Sequence, residues 1–462
     1  MNTGKRIDFD VLKRFNSQGP RYTSYPTAPV FSPDFTGQDF KKEIIDTNAN
    51  GADGPLSLYF HFPFCAKLCY FCGCTMRVTH DRSLISQYNG YIEKEINLLA
   101  PLISKRRKVV QMHWGGGTPS YLLPDEIRQL GNYIGKKFSF DPDVEASVEI
   151  DPRNMAREHI AAFAEAGFNR TSFGVQDFNL RVQQAINRVQ SEEITRQVVL
   201  WAREFGFQSV NLDLIYGLPY QTVETLSETV EKVIDISPDR LAVFNYAHVP
   251  WLKKHQAVMP AEAMPSPDER LAILKMTSEK LTDAGYEYIG MDHFAKPTDE
   301  LAIAKKKGTL YRNFQGYSTK SGADLYGFGL SAISQFENIY AQNQKDFKAY
   351  YASIDAVEAA TRVGYRMTED DHIRKEAIMQ LMCNFEIDKR RVEKQFGICF
   401  EDYFQNDIRK LDQFIREGLV VNEPDYIRVI NSGILIIRNI AMCFDAYLEE
   451  IMRTKPVFSK TV

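Results

Sequence analysis

Between residues 55 and 246 the sequence alternates short β-forming runs with amphipathic helical stretches, and no other feature constrains the fold as strongly. The predicted strands are Leu56–Phe62, Val109–Trp114, Ala146–Ile150, Arg170–Val175, Val210–Ile215 and Leu241–Tyr246. The predicted helices between them include Leu84–Leu99, Asp125–Lys136, Arg157–Ala166 and Val223–Ile236. Strands that alternate with helices form right-handed βαβ units around a parallel sheet. Six such units predict either an α/β barrel or an open doubly wound sheet.

Several of these strands alternate apolar with polar residues, and the polar set includes Glu149 and Asp213. Successive side chains of a strand point to opposite faces of its sheet, whereas parallel strands buried on both faces usually read as continuous apolar runs. A polar face needs water or a ligand. We therefore predict a partial (β/α)6-type barrel with a polar lumen. An antiparallel sheet wetted on one face is the alternative, which the intervening helices disfavour.

The pattern changes on either side of this region. From about residue 366 the sequence becomes helix-forming, a short strand pair is predicted at Val420–Val421 and Tyr426–Ile430, and a last helix is predicted at Ile434–Leu448. We predict a small α-rich, winged-helix-like C-terminal domain at 366–462 and a catalytic barrel with an extension at 55–365. Residues 1–54 are predicted to form an N-terminal arm or lid.

Charge and cysteine usage narrow the class of protein. The chain has 56 basic and 60 acidic side chains and a formal net charge of −4, and no basic domain or charge block stands out, which argues against a nucleic-acid partner. No stretch approaches the ~20 apolar residues of a membrane span, and the N-terminus lacks the apolar core of a signal peptide. We therefore expect a cytoplasmic protein. An odd set of seven cysteines, four of them clustered, favours a metal or cluster site over disulfides.

The clustered cysteines lie in the segment Cys65-Ala-Lys-Leu-Cys69-Tyr-Phe-Cys72-Gly-Cys74, directly after the first predicted strand. Thiolates are soft ligands that suit zinc or iron–sulfur clusters. Three thiolates on one loop would leave one iron of a four-iron cluster without a protein ligand. A structural zinc site with all four thiolates is the alternative, although such sites usually take paired ligands from two separate segments.

Two further features suit a ligand site at the same ends of the strands. Gly115–Gly117 and Thr118 follow the second strand, and glycines let the backbone approach a ligand closely, although a tight turn before a helix needs no ligand. Ribose hydroxyls are suitable partners for Glu149 and Asp213, as they are for acidic residues of dinucleotide folds. Helix caps or salt bridges are the alternative for both carboxylates.

The C-x3-C-x2-C spacing and its surroundings together resemble one family. The accompanying elements, in chain order, are Pro20–Pro26, Cys72–Cys74, His113–Pro119, Glu149–Arg153, Gly174–Asp177, Asp213–Pro219, Phe244–His248, Gly290–His293 and Arg312–Tyr317. They resemble the oxygen-independent coproporphyrinogen III oxidases of the radical S-adenosylmethionine (SAM) superfamily, and the likeness covers nearly the whole chain. Related haem chaperones usually have an aromatic residue at position 74 and lack the 20–26 arm, so Cys74 and the arm favour the oxidases.

The resemblance implies a set of cofactors and site residues. Cys65, Cys69 and Cys72 would hold a [4Fe–4S] cluster with one open iron, and Cys74 would not be a ligand. One SAM molecule would contact Tyr59, Gly116, Glu149 and Ile333. A second would contact Phe71, Gly117, Thr118, Gln176, Arg188, Asp213 and Ala247. No acid or base is assigned as catalytic beyond the cluster and the cofactor.

The resemblance also implies the reaction: anaerobic oxidative decarboxylation of two propionates of coproporphyrinogen III to the vinyl groups of protoporphyrinogen IX, through a 5′-deoxyadenosyl radical, in haem and porphyrin biosynthesis. A flavodoxin- or ferredoxin-like electron donor and a monomeric enzyme are expected. A haem chaperone without oxidase activity is the alternative function. Arg21 and Arg312, with the basic run Lys305–Lys307, would attract a carboxylate-rich substrate, although such a run is usually a solvated surface.

Overall fold

The computed structural model describes residues 13–15, 17–49, 53–454 and 458–459, so the first 12 positions of the predicted arm lie outside the described residues. The strands are β1 (Leu56–Phe62), β2 (Phe64–Cys65), β3 (Arg77–Val78), β4 (Lys108–Gly116), β5 (Ser139–Ile150), β6 (Arg170–Gln176), β7 (Ser209–Tyr216), β8 (Arg240–Asn245), β9 (Glu287–Gly290), β10 (His293–Ala295), β11 (Tyr311–Asn313), β12 (Gly316–Ser318), β13 (Asp324–Phe328), β14 (Ile333–Gln335), β15 (Ile339–Asn343), β16 (Thr361–Arg366), β17 (Glu386–Asp388), β18 (Val420–Asn422) and β19 (Tyr426–Val429).

The α-helices alternate with the first strands and then dominate the C-terminal region. They are α1 (Gly37–Asn48), α2 (Arg82–Leu99), α3 (Pro124–Lys137), α4 (Arg157–Glu165), α5 (Leu180–Ala185), α6 (Glu192–Glu204), α7 (Val223–Ile236), α8 (Pro267–Asp283), α9 (Glu300–Lys306), α10 (Phe347–Asp355), α11 (Glu369–Asn384), α12 (Lys389–Phe396), α13 (Phe400–Tyr403), α14 (Gln405–Lys410), α15 (Asp412–Arg416), α16 (Ile437–Ala441) and α17 (Leu448–Thr454).

The main sheet has the order β16-β15-β14-β13-β1-β4-β5-β6-β7-β8-β10-β9. Its centre, from β13 to β8, is parallel throughout. Six of these strands are the six predicted from the sequence, and antiparallel strands extend both edges. Among the described residues no pairing joins the two edge strands, β16 and β9. The predicted partial α/β barrel is therefore confirmed.

The predicted polar lumen is also confirmed by the strand register. Ser147 on β5 lies opposite His113 on β4, and Glu149 lies opposite Ser172 on β6. These side chains, with Asp213 on β7, line one cavity. The other face of the same strands is buried under the helices through Met112, Trp114, Val148, Phe173 and Leu212.

A second hydrophobic cluster lies outside the sheet and consists largely of residues after 370. Its elements are the helices from α11 onward and a small antiparallel sheet with the order β17-β19-β18. Helix-forming residues before β18, the second strand of this sheet in chain order, form two short helices, α14 and α15. The described part of the chain contains no helix that is long and apolar enough to cross a membrane.

The prediction of one last helix at Ile434–Leu448 is wrong. The segment instead contains a 3₁₀ turn, α16, a second 3₁₀ turn and the start of α17, and the two 3₁₀ turns span Asn431–Ile436 and Met442–Phe444. Asp445 ends the second turn with an extended backbone (φ −85°, ψ 112°). Its carboxylate accepts hydrogen bonds from the amides of Tyr447 (2.9 Å) and Leu448 (3.2 Å). Aspartate commonly stops one helix and caps the next in this way.

The described part of the N-terminal arm packs against this C-terminal cluster. Tyr22 and Tyr25 are almost completely buried in it. The Tyr22 hydroxyl donates to the Asp445 carboxylate at 2.9 Å, and the Arg438 Nε donates to the Pro20 carbonyl at 3.0 Å. These contacts place Arg21 next to the mouth of the lumen, against the ring of Phe244.

Candidate active site

A cavity of about 390 Å³ occupies the lumen of the parallel sheet. Its lining runs from Arg170 and Arg240, at the starts of β6 and β8, to the cysteine loop that follows β1. Loops at the carboxyl ends of parallel strands build the active sites of α/β barrels. The cysteines and the polar strand faces therefore meet in one enclosed space.

The cysteine loop is held in place mainly through its backbone. Cys65 ends β2, which pairs with β3. Further along, the carbonyl of Phe71 accepts from the Gln256 amide group at 3.0 Å, and the carbonyl of Cys72 lies 2.8 Å from His255 Nε2. Because these contacts use carbonyls rather than thiols, the sulfur atoms stay available to a ligand.

The four thiols of the loop differ in their surroundings. Cys65 Sγ lies 3.1 Å from Thr118 Oγ1, and burial raises the pKa of this thiol to about 12. The contact between Cys72 and Cys74 lowers the pKa of Cys72 and raises that of Cys74, because Cys74 donates its hydrogen to the other sulfur. Cys72 is thus the better thiolate of this pair. In the described ranges, no three His, Cys, Asp or Glu side chains are placed to hold a single metal ion.

Cys69 lies beside two guanidinium groups that share one carboxylate. Arg153 donates to Cys69 Sγ at 3.4 Å, and Arg188 does so at 3.6 Å. Both arginines also bind Asp151, at 2.6 Å and 3.1 Å. Burial raises the pKa of Asp151, but the two guanidiniums outweigh burial and lower it to about 2. Asp151 and Arg153 were not among the predicted site residues, although both lie in the motif Glu149–Arg153, because the contact of Arg153 with Cys69 crosses 84 residues.

The glycine run after β4 forms a close-fitting wall beside Glu149. The Gly116 amide donates to Glu149 Oε2 at 3.1 Å, and His113 Nε2 lies 3.2 Å from Oε1. Gly116 has a φ of 113°, and a Cβ there would lie 2.5 Å from the ring of His61, so this position requires glycine. Burial opposes ionisation of Glu149, but the bonds from His113 and Gly116 lower its pKa overall. The side chain is still 46% exposed, towards the cavity.

Asp213 lies across the lumen and is already hydrogen-bonded on both oxygens. Ser172 donates to one at 2.8 Å and Asn211 to the other at 2.7 Å. Burial nevertheless raises the pKa of Asp213 to about 6, with a further contribution from the charge of Glu149. Gln176 lines the same wall, and its buried Oε1 has no hydrogen-bond partner among the described residues.

Comparison with known proteins identifies the family of this chain. Over 460 residues the chain is 46% identical to the oxygen-independent coproporphyrinogen III oxidase of Escherichia coli (strain K12), with 99% of each chain covered. The chain belongs to the oxygen-independent coproporphyrinogen III oxidase family. It is also 44% identical to the enzyme of the same name from Synechocystis sp., with 98% of this chain and 97% of that one covered. It is therefore an oxidoreductase of this family.

Two further findings agree with this membership of the coproporphyrinogen oxidase family. Residues 59–233 match the Radical SAM superfamily model, and residues 367–436 match the HemN C-terminal domain model. The solved structure of coproporphyrinogen III oxidase (HemN) from Escherichia coli, described as a radical SAM enzyme, superposes with a TM-score of 0.91 at 46% identity. The match covers 96% of this chain and 100% of that one. Radical SAM enzymes bind a [4Fe–4S] cluster and SAM.

The oxidase brings most of the predicted site residues to one cavity. Its lining includes Cys65, Cys69, Phe71, Cys72, Gly116, Gly117, Thr118, Glu149, Gln176, Arg188 and Asp213. Tyr59, Ala247 and Ile333 are not part of this lining. Tyr59 lies behind it, with its hydroxyl 3.1 Å from His61 Nδ1 and its ring stacked on His113.

The residues present suit the two cofactors of the family. Four cysteines line the cavity, Cys65, Cys69, Cys72 and Cys74, and thiolates are the usual ligands of iron–sulfur clusters. An ionised Glu149 offers an acceptor for hydroxyl or ammonium groups, while Gln176 Oε1 and Arg188 Nε lack partners within the described chain. Buried polar atoms are nearly always hydrogen-bonded, so unpaired ones on a cavity wall favour a ligand.

Proposed function

We propose that this enzyme holds its [4Fe–4S] cluster through Cys65, Cys69 and Cys72 and converts two propionates of coproporphyrinogen III to vinyl groups without oxygen. The cluster and SAM, when bound, supply an electron and the 5′-deoxyadenosyl radical that removes hydrogen from each propionate. The observation that carries the ligand assignment is the position of Cys65, Cys69 and Cys72 together on the cavity wall, where two guanidiniums reach the sulfur of Cys69. Cys74 lines the same wall but is hydrogen-bonded to Cys72, which leaves Cys72 as the better thiolate of that pair.

The guanidiniums of Arg153 and Arg188 would stabilise negative charge on the sulfur of Cys69. Hydrogen bonds to ligand sulfurs set the reduction potential of iron–sulfur clusters, together with net charge and solvent exposure. Asp151 holds both arginines in this position, since it bonds to each of them. In this proposal Asp151 is a positioning residue, and the two arginines act on the ligand.

The polar walls of the cavity would bind SAM. Tyr59, Gly116, Glu149 and Ile333 are proposed for one molecule; Phe71, Gly117, Thr118, Gln176, Arg188, Asp213 and Ala247 are proposed for a second. The ionised carboxylate of Glu149 suits an ammonium or ribose hydroxyl. Asp213 keeps its orientation through Ser172 and Asn211, so a ligand hydroxyl would meet a fixed acceptor.

The remaining predictions concern partners and location. We propose that the enzyme works as a cytoplasmic monomer and takes electrons from a flavodoxin- or ferredoxin-like protein. We also propose the division into an arm (1–54), a barrel with its extension (55–365) and a C-terminal domain (366–462), with the arm excluding water from the lumen. The burial of Tyr22 and Tyr25 in the C-terminal cluster supports a fixed position for the described part of the arm.

The proposal is tested with protein purified and assayed without oxygen. We expect iron and acid-labile sulfide in a ratio near that of one [4Fe–4S] cluster, 5′-deoxyadenosine after reduction in the presence of SAM, and vinyl groups on the product of coproporphyrinogen III. A protein that binds haem and cleaves SAM but forms no vinyl product would instead be a haem chaperone. A colourless protein with zinc and no sulfide would contradict the cluster assignment.

A further inference from the structure

Apart from Arg153 and Arg188, which share Asp151, the arginines around the lumen fall into two groups that differ in their pairing. Arg170 and Arg240, at one end of the cavity, are matched by carboxylates: Arg240 Nε binds Asp299 at 2.8 Å, and both arginines bind Glu300 at 2.6 Å. These guanidiniums have their charges balanced inside the protein. They need no ligand.

The second group lies where the arm meets the lumen and is not balanced. Arg21 binds Asp292, whereas Arg312 and Arg438 form no ion pair within the described ranges. Arg438 donates its hydrogen bonds to backbone carbonyls of the arm, including that of Pro20. This group of three guanidiniums therefore contains a single ion pair, that of Arg21, and its other two members, Arg312 and Arg438, are buried.

Arg312 shows the lack of acceptors for its guanidinium donors most clearly. Its side chain is only 4% exposed, yet Nε and Nη1 have no hydrogen-bond partner among the described residues. Its Nη2 donates weakly, at 3.4 Å, to the carbonyl of Arg21, and its guanidinium lies 4.6 Å from the ring centre of Tyr317. Buried charged donors without acceptors are rare in native proteins, which favours an anionic ligand at this position.

This group adjoins the cavity that contains the cysteines. Tyr317, Phe244 and His293 line that cavity, and Arg312 and Arg21 lie against the first two of them. His293 Nδ1 is a further buried atom without a described partner. Burial, with the nearby charge of Arg312, lowers the pKa of His293 to about 3, so this imidazole is neutral and can donate or accept a hydrogen bond.

We propose that Arg312 and Arg21, supported by His293, form a carboxylate subsite that binds a propionate group of the tetrapyrrole while another propionate reacts near the cysteines. This inference rests on the proposed function, because it assigns the substrate's carboxylate contacts at the edge of the same cavity, beside Tyr317 and Phe244. A buried guanidinium with unpaired donors can bind a carboxylate through charge-assisted hydrogen bonds. Arg438 acts indirectly, because it holds the arm backbone that carries Arg21.

The test compares Arg312→Gln with the unaltered holoenzyme in anaerobic steady-state assays with coproporphyrinogen III. Loss of a buried charge-assisted contact is expected to raise KM roughly 10- to 100-fold. The kcat is expected to fall by less than about threefold, because the contact is made equally in the ground state and the transition state. Formation of 5′-deoxyadenosine without substrate, and the iron content, are expected to stay unchanged because neither involves this subsite.

Two further variants keep the result interpretable. Arg312→Lys retains the charge and is expected to recover part of the KM loss, even if Arg312→Gln is poorly folded. Arg157→Gln removes one positive charge from a half-exposed surface pair and is the matched control, with an unchanged KM. An unaltered KM in Arg312→Gln overturns the subsite, and so does an equal rise in Arg157→Gln. An unaltered holoenzyme that forms no vinyl product would refute the proposed function instead, so the two failures are distinguishable.

Discussion

Two buried polar networks on the main sheet look alike in composition but differ in completeness. In the first, on α2, Glu95 accepts hydrogen bonds from Gly329, Asn343 and Tyr350, each at 2.7 Å. In the second, on the cavity wall, Asp151 joins Arg153 and Arg188, and these reach the sulfur of Cys69.

The Glu95 network satisfies both oxygens of its carboxylate with protein donors, and it fixes the turn between β13 and β14. The cavity network leaves Arg188 Nε without a partner in the described chain, and its thiols point into a cavity. The first network is therefore part of the scaffold. The second is a site to which a ligand must contribute.

The two networks also differ in charge. No cation of the described chain compensates Glu95, so burial raises its pKa to about 7 even though three donors oppose this shift. Asp151 is compensated twice, and its pKa is lowered to about 2. Carboxylates of similar burial thus respond to pH in different ranges, and this difference can be measured.

The largest effect is expected when a thiol of the cavity network is removed. Cys69→Ser removes the sulfur that two guanidiniums contact, and we expect loss of the cluster and of 5′-deoxyadenosine formation down to the assay background. Iron analysis and a product assay on anaerobically prepared protein measure this. Cys399→Ser alters an exposed thiol outside the cavity lining and is the matched control. A Cys69→Ser protein with full SAM cleavage would reject the ligand assignment.

A smaller effect is expected on protein stability when the carboxylate of the cavity network is replaced by an amide. Asp151→Asn leaves two guanidiniums without their shared counter-charge, and breaking a buried pair in this way is expected to cost ~3 kcal/mol of unfolding free energy. The pKa of Asp151 is depressed in the folded state, so its contribution is fully present above the unfolded pKa and is lost only as the pH falls towards 2. The cost of the substitution, measured by urea unfolding, should therefore be the same at pH 5.5 and pH 7.5.

The matched change in the Glu95 network, Glu95→Gln, should have a stability cost that depends on pH. The folded pKa of Glu95 is raised, so the folded protein binds a proton more tightly and the wild type loses stability as the pH rises from about 4.5 to 7. The loss is at most roughly 1.4 kcal/mol per pH unit. Glu95→Gln cannot ionise, so its cost of ~2 kcal/mol at pH 5.5, from misplaced donors, should shrink by pH 7.5. A cost independent of pH would show that Glu95 is not the titrating group.

The smallest effect is expected at an exposed carboxylate with a similar number of partners. Asp355 accepts from Lys94 and Tyr91, at 2.8 Å and 2.7 Å, but on the surface. Because water screens such pairs and replaces their hydrogen bonds, Asp355→Asn should leave the unfolding midpoint in urea unchanged within error. A loss as large as that of Asp151→Asn would mean that burial does not explain the difference between the two networks.

The local sequence was enough to predict the elements of the barrel. All six predicted parallel strands are present, and Val223–Ile236 has the same bounds in the structure as in the prediction. The seventh parallel strand, β13, was not predicted, because it is short and follows a region in which the alternation has loosened. The prediction of a single last helix was wrong because Asp445 accepts hydrogen bonds from the amides at the start of α17 and ends the turn before it. Apolar periodicity does not reveal such a cap.

The sequence by itself determined which residues can carry the chemistry: the spacing of Cys65, Cys69 and Cys72, and the polar residues on one face of each strand. Only the tertiary structure decided which charges meet, since Arg153 reaches Cys69 across 84 residues and Arg312 reaches the backbone of Arg21 across 291. The physical reason is that periodicity and loop spacing are local properties of the chain. Whether a buried charge is balanced depends on packing between segments that are distant in sequence.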